Sequence, residues 1–228
     1  MDLNIIQRGM RCPRCVQQIH RAAAGCPHCG FTLADADERF GDEAVKLRRL
    51  TDAAGLFRRG ERRRVEVALD RFGRRFPQLF AAVYTGSGGG SAHLRQFGFW
   101  MLNHAVFEDV PPEQPNSAGI LIVLDPAAKA AAISFGYLLD PYLSQKDTFD
   151  CLSRAHAWWL EGRYCEGVVR VIAQMERVLR RRSRQARRAP DRFKRKVLPP
   201  ARAEDLRGGR RDKASGGGWK PPGEEVLR

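Results

Sequence analysis

Two short turns near the N-terminus, Cys12-Pro13-Arg14-Cys15 and Cys26-Pro27-His28-Cys29, constrain this chain more than any other feature. Each C-x2-C aims two sulfurs at one point, and the amides of the turn are placed to hydrogen-bond them. Ten residues separate the pairs, enough chain for the two turns to meet and close a tetrahedral all-thiolate site. Zn²⁺ favours such a site, and four protein ligands leave no open position, so the expected role is structural rather than catalytic. About thirty residues hold too little apolar surface to fold alone, so the metal is expected to supply the folding energy. His28 lies inside the second turn as a substitute ligand, although the set is complete without it. Cys151 and Cys165 lack matched partners and read as buried thiols.

Charge is distributed unevenly. The chain has 228 residues and a formal net charge of +14. The last 52 residues carry 18 Lys/Arg and 6 Asp/Glu, a net of +12, so the other 176 residues net only +2. A wholly basic, histone-like protein is excluded. No run approaches the roughly 18 apolar residues of a membrane-spanning helix. Residues 1–8 carry Asp2 and no apolar core, so an export signal is not expected, and the cysteines are expected to stay reduced or metal-bound in a cytoplasmic protein. The loop between the C-x2-C turns offers only His20 and Arg21 as basic groups, weak support for nucleic-acid binding there. Residues 183–228 combine many Arg with Pro199-Pro200, Pro221-Pro222 and Gly216-Gly217-Gly218, and are expected to be disordered. Their charge suits a polyanion, either nucleic acid or anionic lipid, by counterion release.

The middle region alternates helix and strand signals. Val65, Leu69, Phe72 and Phe76 form an i, i+4, i+7, i+11 stripe that Pro77 ends. Leu79–Tyr84 reads as a strand, stopped by Gly86-Ser87-Gly88-Gly89-Gly90, a flexible connector without the lysine of a phosphate-binding loop. A helix is expected over 91–106. Gly119-Ile120-Leu121-Ile122-Val123-Leu124 is apolar throughout, the mark of a central strand covered on both faces. Asp125-Pro126-Ala127-Ala128 is a turn, and 131–135 is the returning strand. Helices are expected over 144–161 and 165–182, with Trp158-Trp159 packing on the sheet. The fold class is α/β: a small mixed sheet flanked by helices, preceded by the four-cysteine segment and followed by the basic tail. The boundaries are 1–33 for the metal segment, 34–46 for a polar linker, 47–182 for the α/β domain and 183–228 for the tail. The metal segment and the α/β domain are expected to have separate cores.

Two resemblances follow. Residues 11–33 resemble a short bacterial zinc ribbon. Leu50-Thr51-Asp52-Ala53-Ala54-Gly55-Leu56-Phe57, the glycine-led strand from Gly119, Gly136-Tyr137-Leu138-Leu139, and Gly162-Arg163-Tyr164-Cys165-Glu166-Gly167 stand in this order along the chain. On these motifs residues 47–180 resemble a TPM domain, of the phosphatase-like family named partly for thylakoid lumen proteins. The resemblance implies an acidic pocket for Ca²⁺ or another divalent cation, with weak phosphatase activity. Here Ser117-Ala118 stands where relatives carry Asp-Asn, Leu138 replaces a glycine and Gln145 an aspartate. Asp52 and Asp140 remain as a vestigial acidic pocket, too few carboxylates for a cation that takes six to eight oxygens. Both also suit local roles as turn or helix caps. Three functions therefore compete: a noncatalytic module for an unidentified protein partner, a weak metal-dependent phosphatase, and a nonspecific polyanion binder.

Overall fold

The computed structural model describes residues 10–19, 23–88 and 93–193. Along the chain the strands and helices are β1 (Met10–Arg11), β2 (Gln18–Ile19), α1 (Leu33–Phe40), β3 (Val45–Leu47), β4 (Leu50–Asp52), α2 (Arg59–Arg75), β5 (Phe80–Thr85), α3 (Leu94–His104), β6 (Ala105–Phe107), β7 (Gly119–Asp125), β8 (Ala130–Phe135), α4 (Gln145–Leu160) and α5 (Tyr164–Arg188). The central sheet has the order β4-β5-β7-β8. Its first three strands are parallel, and β8 returns antiparallel as the second arm of a hairpin. The class is the mixed α/β one expected, with small sheets flanked by helices.

All seven residues of β7 are buried. Successive side chains point to opposite faces of a strand, so β7 feeds two cores. Ile120, Ile122 and Leu124 pack with Val65, Leu69 and Phe72 of α2 and with Val168, Ile172 and Met175 of α5. Leu121 and Val123 pack with Phe97 and Met101 of α3. Helix α2 forms along the expected stripe and stops at Arg75, where the Phe76 amide donates to the Phe72 carbonyl before Pro77. Cys151 and Cys165 are buried as expected.

Three expectations are corrected. First, residues 34–46 are not a linker: they hold most of α1 and the start of β3. Thr32 and Asp35 form a reciprocal capping box that satisfies the first turn. Ala36 is fully buried, and Phe40 packs on Phe97 and Trp100 with ring centroids 5.4 and 5.7 Å away. The Trp100 indole donates to the Gly41 carbonyl at 2.7 Å, and His104 Nε2 lies 3.1 Å from Asp37 Oδ1. Beyond Gly41 the chain enters β3, which pairs in parallel with β6. Second, the cysteine segment does not have its own core. Cys12, Ile19, Cys26 and Phe31 belong to one buried cluster with Trp100, Leu121 and Val123.

Third, ordered structure does not end at Arg182. Helix α5 continues to Arg188, a short 3-10 turn covers Pro190–Arg192, and Phe193 stacks on Tyr142 at 5.5 Å. Residues 183–188 are Ser, Arg, Gln and Ala without Gly or Pro, so nothing in their propensities stops the helix before Pro190. Arg182 reaches Asp147 of α4 at 3.6 Å. The remainder of the expected disordered tail, 194–228, lies outside the described residues. The glycine-rich connector is anchored where described: the Gly86 amide donates to Leu124 O and the Gly88 amide to Asp125 Oδ2, both at 2.9 Å.

Gly136 shows what one motif position is for. A Cβ there would sit 2.2 Å from the Ser117 carbonyl oxygen, backbone against backbone. Gly136→Ala is therefore expected to destabilise the protein by about 3 kcal/mol, an overpacking cost that no side chain can relieve by rotating. Gly73, inside α2, is the control, because a Cβ added there would meet nothing within 4 Å. Gly73→Ala is expected to stabilise by about 0.5–1 kcal/mol. Urea unfolding of the two variants beside the parent measures both.

Candidate metal centre

The four cysteines at 12, 15, 26 and 29 come together. Their sulfurs all lie within 4.8 Å of one another. Cys12 Sγ is 3.6 Å from Cys29 Sγ, and Cys15 Sγ is 3.6 Å from Cys26 Sγ. A disulfide needs about 2.05 Å, so these are thiols. A tetrahedral ion with Zn–S bonds of about 2.3 Å has sulfur–sulfur edges of about 3.8 Å, close to the observed spacing, so the cluster fits a thiolate-bound metal of that size. Among the described residues no other group of three or more His, Cys, Asp or Glu side chains converges enough to share an ion.

The local sequence builds this cluster twice. In each turn the amide after the second cysteine folds back on the first: Val16 N–H donates to Cys12 O and Gly30 N–H to Cys26 O, at 3.0 and 2.9 Å. The Arg14 amide points at Cys12 Sγ, 3.4 Å away. This wrap requires a left-handed residue after each second cysteine, and Gly30 supplies it with φ +73°. Val16 adopts φ +65° in the other turn, a conformation costly for a β-branched side chain. The β1–β2 pairing and the Gly25–Thr32 bridge close the bases of the two turns. Burial pushes the Cys12 thiol up and the Cys29 thiol to about 12. At Cys26 desolvation raises the thiol, but the amides of Cys29 and His28 together with the Cys15 and Cys29 side chains outweigh it, and the thiol is lowered.

The two retained carboxylates are not brought together. Asp52 ends β4 beside the C-terminal end of β5, whereas Asp140 follows β8 beside the N-terminal end of β7. Parallel pairing of β4, β5 and β7 puts these at opposite ends of the strands. Asp52 is committed to its own loop. Its two oxygens accept the amides of Leu56 and Phe57 at 2.9 and 3.0 Å, and the Thr85 hydroxyl donates to Oδ1. Arg62 lies 3.8 Å from Oδ2. Asp125 is equally occupied, by the amides of Gly88 and Ala128. The pair Asp52 and Asp140 thus forms no common pocket.

Asp140 instead lines a cavity of about 260 Å³ with Ser117 and Gln145, two of the altered positions, and with Arg11, Arg95 and Phe135. Sequence reasoning does not find the two arginines. They come from the metal segment and from α3, and nothing local in the sequence marks them as neighbours. A second cavity, about 640 Å³, lies under α4 and is lined by Phe149, Leu152, Trp159, Leu160, Ala131 and Lys129. Trp158 faces elsewhere, with the guanidinium groups of Arg163 and Arg170 4.0 and 4.1 Å from its ring centroid.

No helix among the described residues is long and apolar enough to cross a membrane. No protein-family model and no curated protein matches the chain. Among solved structures it is similar to the solution NMR structure of the N-terminal domain of a protein from P. gingivalis, with 22% identity and a TM-score of 0.43 over 58% of this chain and 82% of that one.

Protein purified without chelator is expected to carry about one bound metal ion per chain by elemental analysis. Because the cysteines share a core with α3 and β7, Cys12→Ser is expected to shift the whole protein's unfolding to lower denaturant in one transition. Two separated transitions, with the α/β part unchanged, would show that the metal segment is energetically independent.

Proposed function

We propose that this chain is a noncatalytic protein-interaction module of the TPM-domain type, stapled by a structural Zn²⁺ held on Cys12, Cys15, Cys26 and Cys29. The observation that carries the reading is the separation of Asp52 from Asp140. A phosphatase centre built on a hard cation needs several oxygen ligands converging on one point. Asp52 spends both oxygens on backbone amides and a hydroxyl, and Asp140 has Ser117 and Gln145 beside it in place of carboxylates. The four thiolates close the metal site to water and substrate, which suits a staple and not a Lewis acid.

A specific observation favours one additional reading, binding of polyanions. Arg177, Arg181, Arg184 and Arg188 are exposed at i, i+4, i+7 and i+11 of α5, a single basic stripe three turns long. A helix holds these charges in place before any phosphate arrives, so the binding element reaches into the structured part of the chain.

Two outcomes are expected. With Ca²⁺, Mg²⁺ or Mn²⁺ added, release of phosphate from a general aryl phosphate should match the protein-free rate, and turnover that Asp140→Ala abolishes would overturn the noncatalytic reading. Duplex DNA and anionic vesicles should bind the protein with steep salt dependence, a log–log slope of about −0.9 per duplex phosphate contacted. Charge reversal at Arg181 and Arg184 should then weaken binding at least tenfold, and unchanged binding would exclude the α5 stripe.

A further inference from the structure

We infer that the free edge of β8 is the docking strand of this module, and that its ligand is an extended acidic peptide with one apolar anchor. The inference rests on the interaction-module reading and names the surface and the partner chemistry for it.

The sheet ends at β8. The Gly136 amide bonds to Gly119 O, and the register continues by pairing Ser134 with Leu121, Ala132 with Val123 and Ala130 with Asp125. Alternation in an antiparallel ladder then turns the N–H and C=O groups of Ala131, Ile133 and Phe135 outward. Among the described residues these groups have no backbone partner beyond the sheet. Folded proteins guard such an edge with lysine, proline, a bulge or a covering element. Ala130–Phe135 has neither a charge nor a proline, in a chain of which 29% is charged. Ala130, Ala131 and Phe135 stay partly exposed, whereas Ala132, Ile133 and Ser134 are buried.

The two cavities lie along this strand. The larger one meets it at Ala130 and Ala131, and the smaller one at Ile133, Ser134 and Phe135. The larger is apolar, and two of its walls, Phe149 and Leu160, are 68% and 67% exposed. They are the most exposed large apolar side chains among the described residues, as expected of a groove that another chain covers. Charge selects the occupant. Lys129 and His156 border the larger cavity, and Arg11 and Arg95 the smaller. Of the carboxylates lining them, Asp125 is consumed by two amides and Asp140 also has partners of its own. A strand laid on β8 gains main-chain hydrogen bonds from the edge, and alternate side chains reach the two cavities. Ala131 faces α4 and Ser134 faces α3, and they are three residues apart, about 10 Å along a strand. The ligand therefore places an apolar side chain under α4 and a carboxylate at Arg95, on the opposite face, about three residues away.

The test is selection of random nonapeptides displayed on phage against full-length, metal-loaded protein, followed by fluorescence titration of the selected peptides. Winners should carry an apolar residue and an acidic residue an odd number of positions apart, about three, and they should slow amide exchange at Ala131, Ile133 and Phe135. Ala131→Pro removes one outward amide without touching the β7 ladder, a placement that edge strands tolerate, and should abolish binding with the unfolding midpoint retained. Arg95→Glu should weaken the acidic peptides at least tenfold and leave neutral analogues with the same anchor within twofold. Peptides that bind equally to Ala131→Pro, with protection elsewhere, would overturn the edge assignment while sustaining the module reading. A concentration-dependent dimer lost in Ala131→Pro, with no peptide selected, would assign the edge to a second copy and overturn the peptide. If no peptide is selected and the protein is monomeric, the inference fails. The phosphatase assay judges the broader reading independently of all three results.

Discussion

Strand β7 has no solvent-facing side, and that constraint organises everything packed around it. Seven consecutive buried residues stabilise the fold only if both faces of the sheet are covered. On one side α2, α5 and α4 provide the cover. On the other, α3 contributes a single helix, which is too narrow to cover the sheet without help. The cysteine segment and α1 complete that second layer, with Phe31 against Phe99 and Phe40 against Phe97 and Trp100. Aromatic pairs of this kind contribute roughly 0.5–1.5 kcal/mol each beyond area burial. The four-sulfur cluster therefore lies within a layer of the main domain, at the back of the sheet.

This placement also gives the metal segment a role that its composition conceals. Considered alone it has too little apolar surface to fold, and its intervening loop offers little to a nucleic acid. Docked on α3, it supplies Arg11 and Pro13 to the wall of the smaller cavity. The segment thus shapes a cavity formed mainly by other elements.

How much of this is legible in the sequence depends on whether a signal is local. The α2 stripe, the all-apolar β7 run and the β7–β8 turn follow from periodicity within a few residues, and the C-x2-C spacing identifies the four sulfurs that converge. Helix α1 is hidden although its capping box, Thr32 with Asp35, stands in the sequence; the surrounding Asp and Glu give it the composition of a linker. The continuation of α5 is hidden because the charge of an arginine-rich run draws attention away from its helix propensity. Strands β3 and β6 have three residues each and exist only because they pair with each other. The same holds for the acidic residues. A motif order groups Asp52 with Asp140, whereas their separation is a property of strand direction, which no local pattern encodes.

The parallel pairings carry a consequence for how the chain reaches this state. Val45 meets Ala105, Leu50 meets Val83 and Phe80 meets Gly119 across separations of 60, 33 and 39 residues, whereas the β7–β8 hairpin closes over a short turn. Loop-closure entropy delays the distant pairings, so the hairpin forms while its partners are still being gathered. For that interval the most apolar strand of the protein is displayed in a chain that has not yet enclosed it, at risk of association with other nascent copies. The thiolate turns close locally and need no such wait. With the proposed metal bound, a segment already closed would be ready to cover the back of the sheet when β5 and β7 meet, and would shorten the period in which β7 is open to the wrong neighbour.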